Sequence, residues 1–442
     1  MTHSRVSSFL ESFGFSLASY DTEKITCDLL EDMRLSLEAE DGGDELMLPT
    51  YIGLPEKIAR EKKAIVIDAG GTNFRSCLVS FDAAGKPVIE EARKTVMPGT
   101  TKTYSKEAFF DEIAANLDYV KDASDTIGFC FSFGMEMLEN GDAKIVELSK
   151  EIKGERIIGS LAGASLSEAL LRRGWKKKVR IVIVNDAAAA LLAGFAGKAD
   201  GKTYGSYAAF ILGTGINSAY IEYGKIEKIS GLSRLKNQII VCESGSFSRL
   251  PKSVFDDEID AASTTKGMYV LEKMCGGVYL SELASRALSH VCASDLVSNE
   301  AVKALSNAGK ISLSDMDGFL NAPSADEAAL KGVPFAKMPS DFDVLYSVFD
   351  SLIERAVRIA AAVASAAVIK TGKGKDASLP VCLLCNGTTF YKTHDFEKRF
   401  RLYTYQTLTE KRKIYFEQVS VKDDITLGTS AAVLKDILQH AE

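Results

Sequence analysis

Two glycine-bearing turns stand out as places where this chain could hold phosphate. In AIVIDAGGTNFR, Gly70 and Gly71 follow a β-branched apolar run and allow a tight turn whose amides can approach an anion without interference from a Cβ. Thr72 and Asn73 add hydrogen-bond donors, with Arg75 two residues on, and Asp68 at the end of the run suits a hydrated Mg²⁺, an ion that takes one or two carboxylates and keeps several waters. The run LGTGIN puts Gly213, Thr214 and Gly215 in the same role, so one polyphosphate can be gripped from two sides. Between these turns, Asp186 in IVIVNDAAAAL closes an apolar strand and opens a helix. A carboxylate so placed can accept a proton from an attacking hydroxyl or cap the helix.

Two other nucleotide patterns fail on context. AGKADGKT, Ala196 to Thr203, matches a loosened P-loop, but a helix precedes it and a strand follows, the reverse of the order that points amides and a helix N-terminus at phosphate. GTGINS, Gly213 to Ser218, has Ser218 where a dinucleotide fingerprint needs its third glycine, and it continues into AYIEY rather than a helix.

The elements that must position these groups follow from periodicity. Helical spacing of Phe9, Phe13 and Phe15 and then of Leu29, Leu30, Met33 and Leu35 predicts two amphipathic helices, followed by the polar loop EAEDGGDE and the stretch LMLPTYIGLP. The first glycine turn then sits in a β-hairpin, with a further strand near Pro87 to Glu91, a helix from Ser105 to Tyr119 and a strand from Thr126 to Phe133. A helix near Ser165 to Arg173, a strand from Val179 to Val184 and the helix Asp186 to Ala196 complete this half. SYAAFILGTGINSAYIEYG starts the order again, with helices over Val270–Leu288, Asp341–Ile369 and Phe396–Leu408, a strand at Leu379–Cys385 and a last helix at Ser430–His440. Repetition of a Gly-Thr hairpin implies two related α/β lobes around a cleft.

The composition bounds the function. The chain has 442 residues, 46% hydrophobic and 26% charged, with 53 Lys+Arg against 60 Asp+Glu, the proportions of an ordinary globular protein of two or three structural units. A formal net charge of −7 supplies no field for nucleic acid or an anionic membrane. LRRGWKKKVR, Leu171 to Arg180, reads as a solvated face leading into a strand, and IAAAVASAAVI, Ile359 to Ile369, is too short to span a bilayer. The N-terminus lacks a signal-peptide pattern, so a cytoplasmic protein is expected. The eight cysteines are scattered, and Cys382 and Cys385, the single CxxC, lie in a strand-like run with no partner pair for zinc, which implies core packing.

Taken together and in order, these motifs resemble those of the eukaryote-type hexokinases, within the sugar kinase, actin and Hsp70 superfamily. The similarity covers nearly the whole chain. It implies an α/β fold of the two-lobed, actin-like ATPase (ribonuclease H-like) kind: 1–62 as a helical segment on the large lobe, 63–206 with 430–442 as the small lobe, and 207–429 as the large lobe. The family's Ser-Phe-Pro sugar segment is matched by Ser132, Phe133 and Gly134, its Thr-Lys segment by Ser149 and Lys150, and its catalytic Asn-Asp pair by Asn185 and Asp186. Asn217 in the second loop, Glu243 in CESGSF and Glu272 in KGMYVLEKMCGG fall on further sugar-binding positions. The adenosine side is matched by Gly387 and Thr388 and by Gly428 and Thr429.

The resemblance therefore implies MgATP-dependent phosphorylation of a hexose, D-glucose foremost, at its 6-hydroxyl, the first step of glycolysis. Asp186 would be the general base, Lys150 a donor to the sugar or the transferring phosphoryl group, and Mg²⁺ and ATP the cofactors. Because water is also a nucleophile, the lobes should close around the sugar, with a hinge near Gly205 and around Leu427 to Ser430. Two other readings stay open: a kinase for fructose, mannose or an amino sugar, and a sugar-sensing regulator that kept the fold and lost turnover. Oligomeric state is not legible.

Overall fold

The computed structural model describes residues 2–71, 73–148, 152–176, 179–197, 202–224, 226–228, 237–306 and 309–439. Two mixed sheets organise it. In the first, the strands run in the order Arg180–Val184, Thr126–Phe131, Ala64–Gly70, Asn73–Phe81, Pro87–Val96. In the second the order is Leu48–Pro49, Gln238–Val241, Ile216–Glu222, Ser206–Leu212, Val381–Asn386, Phe416–Val419. Each sheet is built on an antiparallel hairpin, extended by antiparallel pairing on one side, through one strand in the first sheet and two in the second, and by two parallel strands on the other. The repeated Gly-Thr hairpin of the sequence is thus the first strand pair of each copy of one α/β plan, and the two turns occupy equivalent places.

The inner parallel strands Thr126–Phe131 and Val381–Asn386 are buried almost throughout, which is why they read as continuous apolar runs rather than alternating ones. The edge strand Pro87–Val96 is exposed throughout, and Glu90, Glu91, Arg93 and Lys94 along it discourage pairing with another chain.

The helix Asp186–Ala196 lies between the sheets. It packs on Ser206–Leu212 and Val381–Asn386 on one side and on the C-terminal helix Asp424–Gln439 on the other. Its small side chains, Ala187 to Ala190, Ala193 and Gly194, are buried, so neighbouring backbones come close on every face. In the large half, the 32-residue helix Pro339–Lys370 carries the Ala-rich run and packs against the helices Thr2–Ser12 and Thr22–Glu38. A fully buried Arg355 ties this core together, donating from Nη1 and Nη2 to the two oxygens of Asp256 at 2.7 and 2.9 Å, while Asp256 also completes the capping box of the helix Val254–Ala262 with Ser253.

Several elements differ from those expected. The strand expected near Pro87 to Glu91 continues to Val96. A small hairpin, Gly134–Met137 with Ala143–Glu147, follows the Ser132–Phe133 segment and is too short to register as periodicity. The helix expected over Val270–Leu288 breaks at Gly276 into Val270–Cys275 and Gly277–Cys292. The last helix begins at Asp424, so Leu427 to Ser430, expected as a hinge, are buried helix interior. The chain instead passes from the strand Phe416–Val419 to that helix over 420–423. Cys382 and Cys385 are buried in their strand with free thiols.

Candidate functional site

A cleft of about 530 Å³ opens between the lobes and gathers ten of the residues singled out in the sequence: Ser132, Phe133, Asn185, Asp186, Gly213, Thr214, Gly215, Asn217, Glu243 and Glu272. Each arrives for a local reason. Ser132 and Phe133 follow directly on the buried strand Thr126–Phe131, and the Ser132 amide donates to Ala69 O at 3.1 Å, which lays this segment beside the first glycine turn. A Cβ built on Gly70 would lie 3.4 Å from Ser132 Oγ. Gly71, at the tip, has φ +55° and open space around it.

Asp186 is not the helix cap. That role belongs to Asn185, whose Oδ1 accepts from the Ala187 amide at 2.8 Å. Asp186 stands one residue further in, at the positive end of the helix, with one oxygen taking the same amide at 2.8 Å. Burial pushes its carboxyl up from the ordinary range and the backbone hydrogen bonds oppose the shift.

The second glycine turn is fixed from behind. The break at Gly276 lets the helix Gly277–Cys292 aim its first amides at the turn, with Gly277 N donating to Gly213 O at 3.0 Å. Thr389 Oγ1 donates to the same carbonyl at 2.7 Å. Gly215 leaves room for Glu272, whose Oε2 would be 2.2 Å from a Cβ at that position and which accepts from the Ile216 amide at 3.2 Å. Beyond the turn, Asn217 Nδ2 donates to Glu243 Oε1 at 2.9 Å, and the Glu243 amide donates back to Asn217 Oδ1 at 3.0 Å. Glu243 itself is left-handed, at φ 55° and ψ 48°.

The cleft gathers buried carboxyls. Burial pushes the Glu243 carboxyl up to about 7, with Asp186, Glu272 and Glu147 adding to the shift and Asn217 opposing it. Burial also raises Glu272. Outside the lining, burial pushes Asp68 up to about 6; Arg75, 3.8 Å away, opposes this, and Asp186 and Asp424 add to it. Asp424, held by Asn386 Nδ2, is raised chiefly by burial. Asp68, near enough to Asp186 and Asp424 to be shifted by them, is the carboxylate that would hold a hydrated Mg²⁺, an ion that takes one or two carboxylates and keeps several waters.

Other expected residues stand elsewhere. Thr72, Ser149 and Lys150 lie outside the described residues. Asn73 pairs with Gly70 to close the first hairpin, and Arg75 faces Asp68 across it. Gly387, at φ +122°, brings its backbone against Leu212 O, where a Cβ would fall at 1.9 Å. Thr388 is exposed at the start of the next short helix. Gly428 and Thr429, expected on the nucleotide side, stand at a close helix contact. A Cβ on Gly428 would meet Ala189 O at 1.7 Å, so the close approach of the two helices requires glycine here, and Thr429 is fully buried against Gly128.

The cleft also contains residues that sequence reasoning did not single out. Glu147 and Tyr269 face each other from opposite lobes, Tyr269 Oη donating to Glu147 Oε2 at 3.3 Å, and Leu46 and Leu48 form part of the wall. Only LMLPTYI hinted at the last two. Tyr269, left-handed at φ 55°, carries no local signal for its conformation.

Comparison with known proteins gives a consistent picture. Two family models described as Hexokinase match residues 207–435 and 5–195. "Hexokinase-9" of Oryza sativa subsp. japonica is 32% identical over 273 residues, 58% of this chain and 53% of that protein. "Hexokinase-5" of the same organism is 28% identical over 371 residues, 78% of this chain and 72% of that protein. The chain thus spans little more than half of the first relative. Hexokinase from Schistosoma mansoni complexed with glucose shares the fold, with TM-score 0.78 at 23% identity over 98% of this chain and 99% of that one. No described helix is long and apolar enough to cross a membrane.

Proposed function

Since the chain belongs to the hexokinase family, we propose that it transfers the terminal phosphoryl group of ATP to the 6-hydroxyl of a hexose, D-glucose foremost, yielding the hexose 6-phosphate that enters glycolysis. The observation that carries this reading is the convergence of Asp186 with Asn185, Asn217, Glu243 and Glu272 in one cleft, next to a glycine turn. The glucose bound to the Schistosoma hexokinase supports the choice of sugar.

A pyranose presents several hydroxyls, each needing a partner once water is displaced. Glu243 and Glu272 accept from hydroxyls, and the amides of Asn185 and Asn217 both donate and accept. Asp186 has the position of the base. Its carboxyl, raised by burial and with one oxygen held by the Ala187 amide, takes the proton from the sugar hydroxyl as that oxygen attacks. The turn Gly213–Gly215 offers amides to the anion being transferred. Mg²⁺, when bound with the nucleotide, neutralises charge on the phosphates, and Asp68 would hold it through water. Lys150 is assigned a donor role on the resemblance alone.

The test is a coupled ADP-release assay with MgATP against a panel of glucose, fructose, mannose and amino sugars, run beside Asp186→Ala. Sugar-dependent release that collapses in the variant supports the kinase and ranks its substrates. Sugar binding by calorimetry without turnover would replace it with a sensor on a kinase fold.

A further inference from the structure

Glu243 holds a backbone conformation that non-glycine residues seldom adopt, φ 55° and ψ 48°. Such a conformation persists only where its surroundings impose it. On the cleft side, Asn217 grips both the amide and the side chain of Glu243. The opposite side is supported by the acidic loop that follows the helix Thr22–Glu38, a segment far from Glu243 in sequence and without a part in the chemistry described above.

Asp44 Oδ2 accepts from both the amide and the hydroxyl of Ser248, at 2.9 and 2.7 Å, closing the far end of the turn that carries Glu243. Met47 N donates to Cys242 O at 3.2 Å, fixing its near end, and Leu48 and Pro49 continue the contact by pairing with Val241 and Ile240. Between them lies Glu45, 1% exposed. Its carboxyl faces Ser244, whose hydroxyl also lies 2.9 Å from Ser218 Oγ. Burial, with the neighbouring Asp32 adding to it, drives this carboxyl far above its ordinary range, and its side chain fills space directly behind the turn. Asp32 anchors the loop in turn, accepting from the Asp44 and Glu45 amides at 3.0 and 2.8 Å and pairing with Arg249.

We propose that Asp44 and Glu45 are positioning residues for sugar recognition, bracing the turn 242–248 from behind so that Glu243 keeps its left-handed conformation and presents its carboxylate to the sugar. The proposal rests on the hexose reading. It separates binding from chemistry: the brace touches the Glu243 side of the cleft and leaves Asp186 and the Gly213–Gly215 turn alone.

The experiment compares the full chain with Asp44→Ala and Asp44→Asn by calorimetry with D-glucose and with MgADP, and by steady-state kinetics. Asp44→Ala is expected to weaken glucose binding and raise its KM about tenfold, in keeping with loss of hydrogen bonds to a charged group. Its kcat at saturating sugar and its MgADP affinity should stay near the parent's. Asp44→Asn, which still offers Ser248 an acceptor, should recover most of the loss. Should Asp44→Ala fail to fold, Glu45→Ala against the isosteric Glu45→Gln carries the same test, with weakened sugar binding confined to the alanine variant. Unchanged glucose affinity, or equal losses in kcat and nucleotide binding, would overturn the proposal. A parent chain that binds no hexose would instead overturn the hexose reading, and this one with it.

Discussion

Asn217 and Glu243 hold each other through two reciprocal hydrogen bonds, side chain to side chain at 2.9 Å and backbone amide to side-chain oxygen at 3.0 Å. Neither can be removed without leaving the other short of a partner in the cleft. A hydrogen bond to a charged group is worth about 1.5–3 kcal/mol, so Asn217→Ala is expected to weaken hexose binding by about 10- to 100-fold. Calorimetry with glucose decides it, and an unaltered affinity would remove Asn217 from the sugar site.

The base assignment separates from binding. Asn185 keeps the helix cap, so Asp186→Asn should fold as the parent does and bind hexose within a few-fold. Its kcat is expected to fall by about 10²- to 10⁴-fold, the usual contribution of a positioned proton acceptor. A variant with near-normal turnover would place the base elsewhere.

Titration of Glu243 gives a pH signature. With its carboxyl raised to about 7, the group gains a proton as pH falls through neutrality and ceases to be a pure acceptor. Hexose KM should therefore rise from pH 8 to pH 6, and Glu243→Gln should bind weakly with a flatter profile. The stability effect has the opposite direction. The folded chain binds this proton more tightly than the unfolded chain, so Glu243 lowers stability progressively as pH rises from the ordinary carboxylate range towards 7. Thermal midpoints of parent and Glu243→Gln should accordingly diverge over that window, with the variant the more stable at its upper end.

The helix contact at Gly428 has no spare room. Gly428→Ala puts a methyl group where Ala189 O lies 1.7 Å away, so two helices must separate. Overpacking of this kind costs about 1–3 kcal/mol, read as a lower urea midpoint, and a neutral outcome would mean that the helices yield freely.

In the large half, Arg355→Met leaves Asp256 buried without its cation. Breaking one side of such a pair costs about 3–5 kcal/mol. Chemical unfolding should show that loss, and the paired replacement Arg355→Met with Asp256→Leu should cost less than twice as much.

The chemistry-bearing residues were legible where the signal is local. Gly213 to Asn217, Asn185 and Asp186 sit where an apolar strand meets a turn or a helix, and both the strand and the break are written in consecutive residues. Glycines with a purely tertiary reason were not. Gly428 has the same appearance in sequence as a phosphate-facing glycine, and only the carbonyl of Ala189, far away along the chain, shows that it serves packing. The break at Gly276 was invisible for the same reason, since apolar spacing continues across it and the turn it accommodates lies some sixty residues earlier. Glu147 and Tyr269 meet only because two lobes face each other, a relationship no window of sequence contains.

The alanine helix Asp186–Ala196 is a wall shared by both halves of the molecule. A saturation library would register this as a band of intolerance over 187–194 comparable to that at the cleft, because every added methylene presses on two sheets or on a second helix. Tolerance maps of this chain will therefore not separate chemistry from architecture along that stretch. Asp186 is to be distinguished from the alanines behind it by its charge and turnover, not by how badly it bears replacement.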